Sequence, residues 1–335
     1  MRKNYVKKSQ FFLIAFAVCS VLFVAWALVP FEVASVTEPA VATSTKPTSI
    51  LNQILHPKRP SPSELADMQL VFNDEFDAFS RYVNAEGNVT CKNDGNGTWQ
   101  TVFSFCSRTI ASNYEQEVYI DQGFLDHLKK TIPNLSTESP FAVKNSIFTI
   151  ITSTSSPEIL KAVGPWAKYT SGLITTQFSF SQKYGYFEMR AKLPKGKGVW
   201  PAFWLLPTDK TWPPEVDILE AFGDPNDRRE GGRTMIHNAF HSPKKSESCE
   251  EWHDVGVDIT ESFHTYGALV EPTGVTYYFD GKQYAFCPPD SLEDKPMYML
   301  INVAVGGSKS WPTAPDASTV WPAYLFVDYV RAYSK

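Results

Sequence analysis

From about residue 70 onward, apolar and polar positions alternate with a period of two in many short runs, which is the pattern of half-buried strands. In 184–193, Tyr186, Glu188, Arg190 and Lys192 interleave with Phe187, Met189, Ala191 and Leu193. The spacing predicts a strand with one face in the core. The stretch 275–286 predicts two strands joined at Asp280-Gly281, a dipeptide suited to a tight hairpin turn. The stretch 325–333 alternates again. Helical periodicity is scarce, and 123–132 is its best short candidate. Many short strands separated by turn residues predict an all-β domain, either a sandwich or a barrel.

The N-terminal pattern is different. Arg2, Lys3, Lys7 and Lys8 precede an unbroken apolar run from Phe11 to Val29. As a helix this run would extend roughly 28 Å, close to the thickness of a bilayer core, and it is longer than most signal-peptide cores. Two readings of residues 1–30 stay open: an uncleaved signal anchor, or a signal peptide cleaved near the small triplet Ala40-Val41-Ala42. Both place the remainder outside the cytoplasm, extracellular or periplasmic, because the positive charges precede the run. Residues 31–65 are rich in Pro, Ser, Thr and Ala without periodicity and read as a flexible linker. The folded domain is expected at 66–335.

Composition narrows the class. With a net charge of -5, nothing suggests nucleic acid or an acidic membrane face as partner, and the expectation is a monomer. The 9 Trp, 15 Tyr and 23 Phe suit an aromatic core and also a cleft where sugar faces lie on rings. Cys19 falls in the apolar run; Cys91, Cys106, Cys249 and Cys287 remain. In an oxidising compartment an even number favours two bridges over free thiols. Pairing Cys91 with Cys106 and Cys249 with Cys287 closes the shorter loops. No Cys-x-x-Cys pair suggests zinc. Asn88, Asn96 and Asn134 lie in glycosylation sequons, used only by hosts with that machinery.

The chemistry concentrates in 212–223, WPPEVDILEAFG. Val216, Ile218 and Leu219 argue for a strand. In a regular strand Glu215 and Asp217 share a face and Glu220 falls on the other. One extra residue in a β-bulge between Asp217 and Glu220 restores the parity. All three acids then face one cleft, with Glu215 and Glu220 spaced for paired-carboxylate glycoside cleavage. Crowded carboxylates cannot all ionise easily, so at least one pKa should rise. A solvated acidic edge and a calcium site are the competing readings of the triplet.

Glu215-Val216-Asp217-Ile218-Leu219-Glu220 resembles the bulged E-x-D-x-x-E signature of glycoside hydrolase family 16. The resemblance extends in order through 72–77, 112–119, 171–207, 263–281, 301–307 and 327–333. Bacterial exopolysaccharide endoglycanases and laminarinases are the most similar branches. The resemblance implies a curved β-sandwich jelly roll of the concanavalin A-like type, with a cleft on the concave sheet. It implies a retaining endo-β-glycanase acting on β-1,3 or β-1,4 linkages of a polysaccharide, with Glu215 as nucleophile, Asp217 as assisting acid and Glu220 as acid/base. Transglycosylation on the same acids and a non-catalytic glycan-binding module are the alternatives. The family positions suggest Trp212, Trp200, Trp204 and His237 as sugar-binding residues, with Asn113, Asn302 and Trp311 as weaker candidates. No cofactor is required. A structural calcium at Asp328 is expected by position. Val270 departs from the family's Trp, and 242–252 looks like an enlarged loop.

Overall fold

The computed structural model describes residues 62–226, 231–288 and 295–335. The apolar run 11–29 and the linker as far as residue 61 lie outside the described residues. Among the described residues no helix is long and apolar enough to cross a membrane.

Two sheets pack face to face as a jelly-roll sandwich, one of ten strands and one of six. The smaller runs in the order Cys249–Asp254, Met235–His241, Glu215–Glu220, Val199–Pro207, Met297–Val305, Leu173–Thr175. The larger contains the anticipated strand as Gly185–Lys192, the hairpin as Gly274–Phe279 with Lys282–Cys287, and the closing strand as Ala323–Ser334. Asp280 and Gly281 take φ values of 47° and 73°, the left-handed pair that a two-residue hairpin turn needs.

The anticipated helix is Gln122–Lys129, capped by the Asp121 side chain, which accepts from the Phe124 N–H. A second helix, Pro157–Val163, begins at Ser156-Pro157. Its start signal is an N-cap serine followed by a proline in the first turn.

Period two explains the core. Val199, Phe203 and Leu205 point between the sheets and meet Phe187, Met189, Met299, Ile301 and Leu325. The alternate residues Trp200, Ala202 and Trp204 therefore face the opposite side of the small sheet, where the acids emerge. Val270 is buried in the same core.

The strand Gly185–Lys192 is not half-buried: its polar face is buried as well. Its polar residues satisfy one another there. The Tyr186 and Tyr329 hydroxyls each donate to Glu188 at 2.9 Å, and Arg190 pairs with Asp328. Leu65, Met68, Tyr278 and Tyr333 close over Tyr186. Asp328, the expected calcium position, is thus 1% exposed and engaged by a guanidinium. A fixed cation against the carboxylate does not fit a calcium ligand.

Both disulfides form as anticipated, Cys91–Cys106 and Cys249–Cys287. The second ties the outermost strand of the small sheet to the outermost strand of the large one. The asparagines of all three sequons are exposed.

Removing one member of a buried ion pair strands the other. Arg190→Met should therefore cost ~3–5 kcal/mol in urea denaturation, and adding Asp328→Leu should restore much of it. Equal losses in the single and double variants would contradict this pairing.

Candidate active site

The strand Glu215–Glu220 carries the expected bulge. Against its neighbour, Asp217 pairs with Ala239 and Glu220 with His237, with the register broken between them. Against Val199–Pro207 the register shifts between Phe203 and Trp204. Ile218 and Leu219 both enter the core, so Glu215, Asp217 and Glu220 emerge on one face and line a single cleft of about 790 Å³.

Each outer acid is oriented by a tryptophan. The Trp212 indole N–H donates to Glu215 Oε2 at 2.8 Å. The Trp200 indole donates to Glu220 Oε1 at 2.9 Å, and His237 Nδ1 lies 3.0 Å from Glu220 Oε2. Both oxygens of Glu220 are thereby fixed in direction. His241 Nε2 approaches Asp217 Oδ2 to 3.1 Å and Glu215 Oε1 to 3.9 Å. Glu215, Asp217 and His241 are close enough together to hold a metal ion. With Trp212 already bonded to Glu215, the same groups equally form a proton-sharing carboxyl pair beside an imidazole.

Burial pushes Glu215 well above the usual carboxylate range, and the Asp217 charge adds to this. The His241 charge and the Trp212 bond pull the other way. Burial also pushes Asp217 well up, reinforced by the Glu220 charge, while its bond with Glu215 opposes the rise. Asp217 is more deeply buried than Glu215. The two carboxyls bond to each other and so share one proton.

All seven predicted binding residues line this cleft, in different settings. Trp212 and Trp311 are 66% and 44% exposed and present open ring surface. Trp204 is buried in the floor, its indole donating to Asn302 Oδ1 at 2.7 Å. Asn302 Nδ2 donates to the Tyr119 hydroxyl at 2.9 Å, so Asn302 braces the floor. Asn113 donates to Glu115 at 3.0 Å. His237 is a partner of Glu220 and is 4% exposed.

Several neighbours escaped the sequence reading. Phe222 and Trp252 join the predicted Trp311 in an aromatic group against His237 and Trp200. Phe222 could have been found two residues after Glu220, just past the end of its strand. His241 likewise follows His237 at even spacing. Glu115 and Glu117 form a second buried carboxyl pair, of which Glu115 faces the cleft. Burial raises both, and Glu117 accepts from the Val305 N–H at 2.7 Å.

The profile of glycosyl hydrolases family 16 matches residues 129–323. The chain belongs to this family. It is 36% identical over 266 residues to the endo-1,3-1,4-beta-glycanase ExsH of Rhizobium meliloti, covering 78% of this chain and 51% of that protein. It is 36% identical over 252 residues to the endo-1,3-1,4-beta-glycanase EglC of the same organism, covering 74% and 50%. Identity to the glucan endo-1,3-beta-glucosidase A1 of Niallia circulans is 30% over 298 residues, covering 82% and 39%. The chain thus spans about half the length of these relatives or less. Among solved structures, the laminarinase catalytic domain of Thermotoga maritima superposes with a TM-score of 0.61 at 28% identity, covering 80% of this chain and 99% of that one.

A carboxyl whose pKa is raised by folding contributes stability at low pH that is lost as pH climbs through the raised value. Asp217→Asn removes that loss. The variant should be more stable than the wild type near about pH 8, with the advantage fading towards about pH 4, by urea denaturation at each pH. No difference at the higher pH would contradict the burial account of Asp217.

Proposed function

We propose that this family 16 chain is a retaining endo-β-glycanase that hydrolyses β-1,3 or β-1,4 linkages in a polysaccharide. The observation that carries the reading is the bulge, which sets Glu215 and Glu220 on one cleft face with Asp217 between them. Glu215, as carboxylate, attacks the anomeric carbon. Glu220 delivers a proton to the departing glycosidic oxygen, and a covalent glycosyl-enzyme forms. Water then attacks the same carbon. Glu220 takes its proton, Glu215 leaves, and two inversions give net retention. Asp217 holds the pair's proton and stabilises Glu215 as the anion. Trp200 and His237 hold Glu220 on the leaving-group side. The exposed rings of Trp212 and Trp311 supply stacking surface for sugars.

The names of the relatives support the linkage range, since they include endo-1,3-1,4-beta-glycanases and an endo-1,3-beta-glucosidase. Export is supported by the two disulfides and by the basic, then apolar, N-terminal pattern. The reading assumes a monomer acting on a carbohydrate polymer, without nucleic acid, with residues 11–29 in a membrane if the segment is not cleaved.

A panel of laminarin, lichenan, barley β-glucan and succinoglycan, with products read by mass spectrometry, tests this directly. Short oligomers from one polymer are expected. Glu215→Gln should lose ~10³-fold or more in kcat while unfolding like the wild type. Products longer than the starting oligomers would indicate transglycosylation. Unchanged activity in Glu215→Gln would overturn the assignment.

A further inference from the structure

A second cavity, of about 520 Å³, opens beside the first. The two share Trp212, His241 and Glu250. Its remaining walls are Pro213, Pro243, Lys245, Ser242 and Ser248, with Cys249 at the back. Trp212 stands between the two spaces, and its ring is pinned through its indole N–H to Glu215.

Most of this cavity lies beside the line of the polysaccharide backbone. Glu215 and Glu220 lie on one strand and must flank the scissile bond. A chain that passes between them therefore crosses the strands. Glu250, opposite Ala239 and so level with Asp217, borders that path; the rest of the second cavity extends beyond Glu215, at the end of the strand Met235–His241 and the start of Cys249–Asp254, to one side of it.

The cavity is also preformed. The Ser242 N–H donates to Ser248 Oγ at 2.9 Å and the Lys244 N–H to Ser242 Oγ at 3.1 Å. Lys244 Nζ meets Glu247 at 2.8 Å, and the Cys249–Cys287 disulfide anchors the loop's end to the other sheet. Its volume lies within the range of roughly 300–1,000 Å³ found for small-ligand sites. One cation, Lys245, and one anion, Glu250, leave no net charge to select an acidic group. Proline and tryptophan surfaces beside serine hydroxyls suit a sugar ring, which is apolar on its faces and polar at its edge.

We propose that the cavity behind Trp212 is a lateral subsite that receives a single neutral sugar branch carried on the backbone, so that the enzyme cuts next to branched residues. This rests on the glycanase reading and deepens it. The probes are a linear β-1,3-glucan and a β-1,3-glucan bearing single β-1,6-glucosyl branches, each given to the full chain. The wild type should cut the branched polymer and yield branched oligomers. Lys245→Trp, which fills the cavity, should lower kcat/KM on the branched polymer about tenfold while leaving the linear polymer within about twofold. Lys245→Ala should keep the wild-type ratio, which separates loss of space from loss of charge. A branched-to-linear ratio unchanged in Lys245→Trp, or equal loss on both polymers, would overturn the subsite. Cleavage of neither polymer by the wild type would overturn the subsite as assigned to a branched β-1,3-glucan, while the glycanase reading stands or falls on the four-polymer panel.

Discussion

Everything at the site depends on one irregularity in one strand. A regular strand alternates its side chains between two faces. Glu215 and Asp217 would then face the cleft while Glu220 entered the core, where an unpaired carboxylate is very costly. The bulge removes the conflict by letting Ile218 and Leu219 both point inward. Apolar burial of those two residues holds the strand against the large sheet, and the same burial aims all three acids outward. The catalytic geometry and the hydrophobic core are therefore set by the same residues.

The rest of the site elaborates that frame through side chains of neighbouring strands. Trp200 and Trp204 alternate with Val199, Phe203 and Leu205 on the adjacent strand, so one period-two run supplies core on one side and cleft floor on the other. Trp200 and Trp212 each lend an indole N–H to one outer acid. His237 and His241, four residues apart on the next strand, reach opposite ends of the acid row. The electrostatic result is asymmetric. Asp217 is the more enclosed and lies next to acids on both sides, whereas Glu215 also accepts from the Trp212 indole, which favours its charged form.

Much of this was legible in the sequence because period two is a local property. The strand Gly185–Lys192, the hairpin at Asp280-Gly281, the bulge and both disulfides follow from short-range pattern and spacing. What was not legible depends on contacts between distant segments. The face of Glu188 and Arg190 reads as exposed, yet Asp328 and Tyr329, from the far end of the chain, pair with it and bury it. The same pairing turns Asp328 from an expected calcium ligand into half of an ion pair. Trp252 joins the aromatic group at Glu220 only because its strand registers with His237, which no local signal states. That Asn302 and Trp204, both cleft-lining, bond to each other in the floor is likewise a contact between distant segments.

The central claim is that Glu215 attacks the sugar and Glu220 handles the proton. It is tested most directly by giving Glu220→Ala an activated β-glycoside together with azide and determining the anomeric configuration of the product by NMR. Azide needs no base, so it can take water's place in the second step. The account predicts recovery of turnover and a β-glycosyl azide, formed on the face opposite Glu215, from which the first leaving group departed. An α-glycosyl azide, or no rescue at any azide concentration in a correctly folded variant, would contradict it.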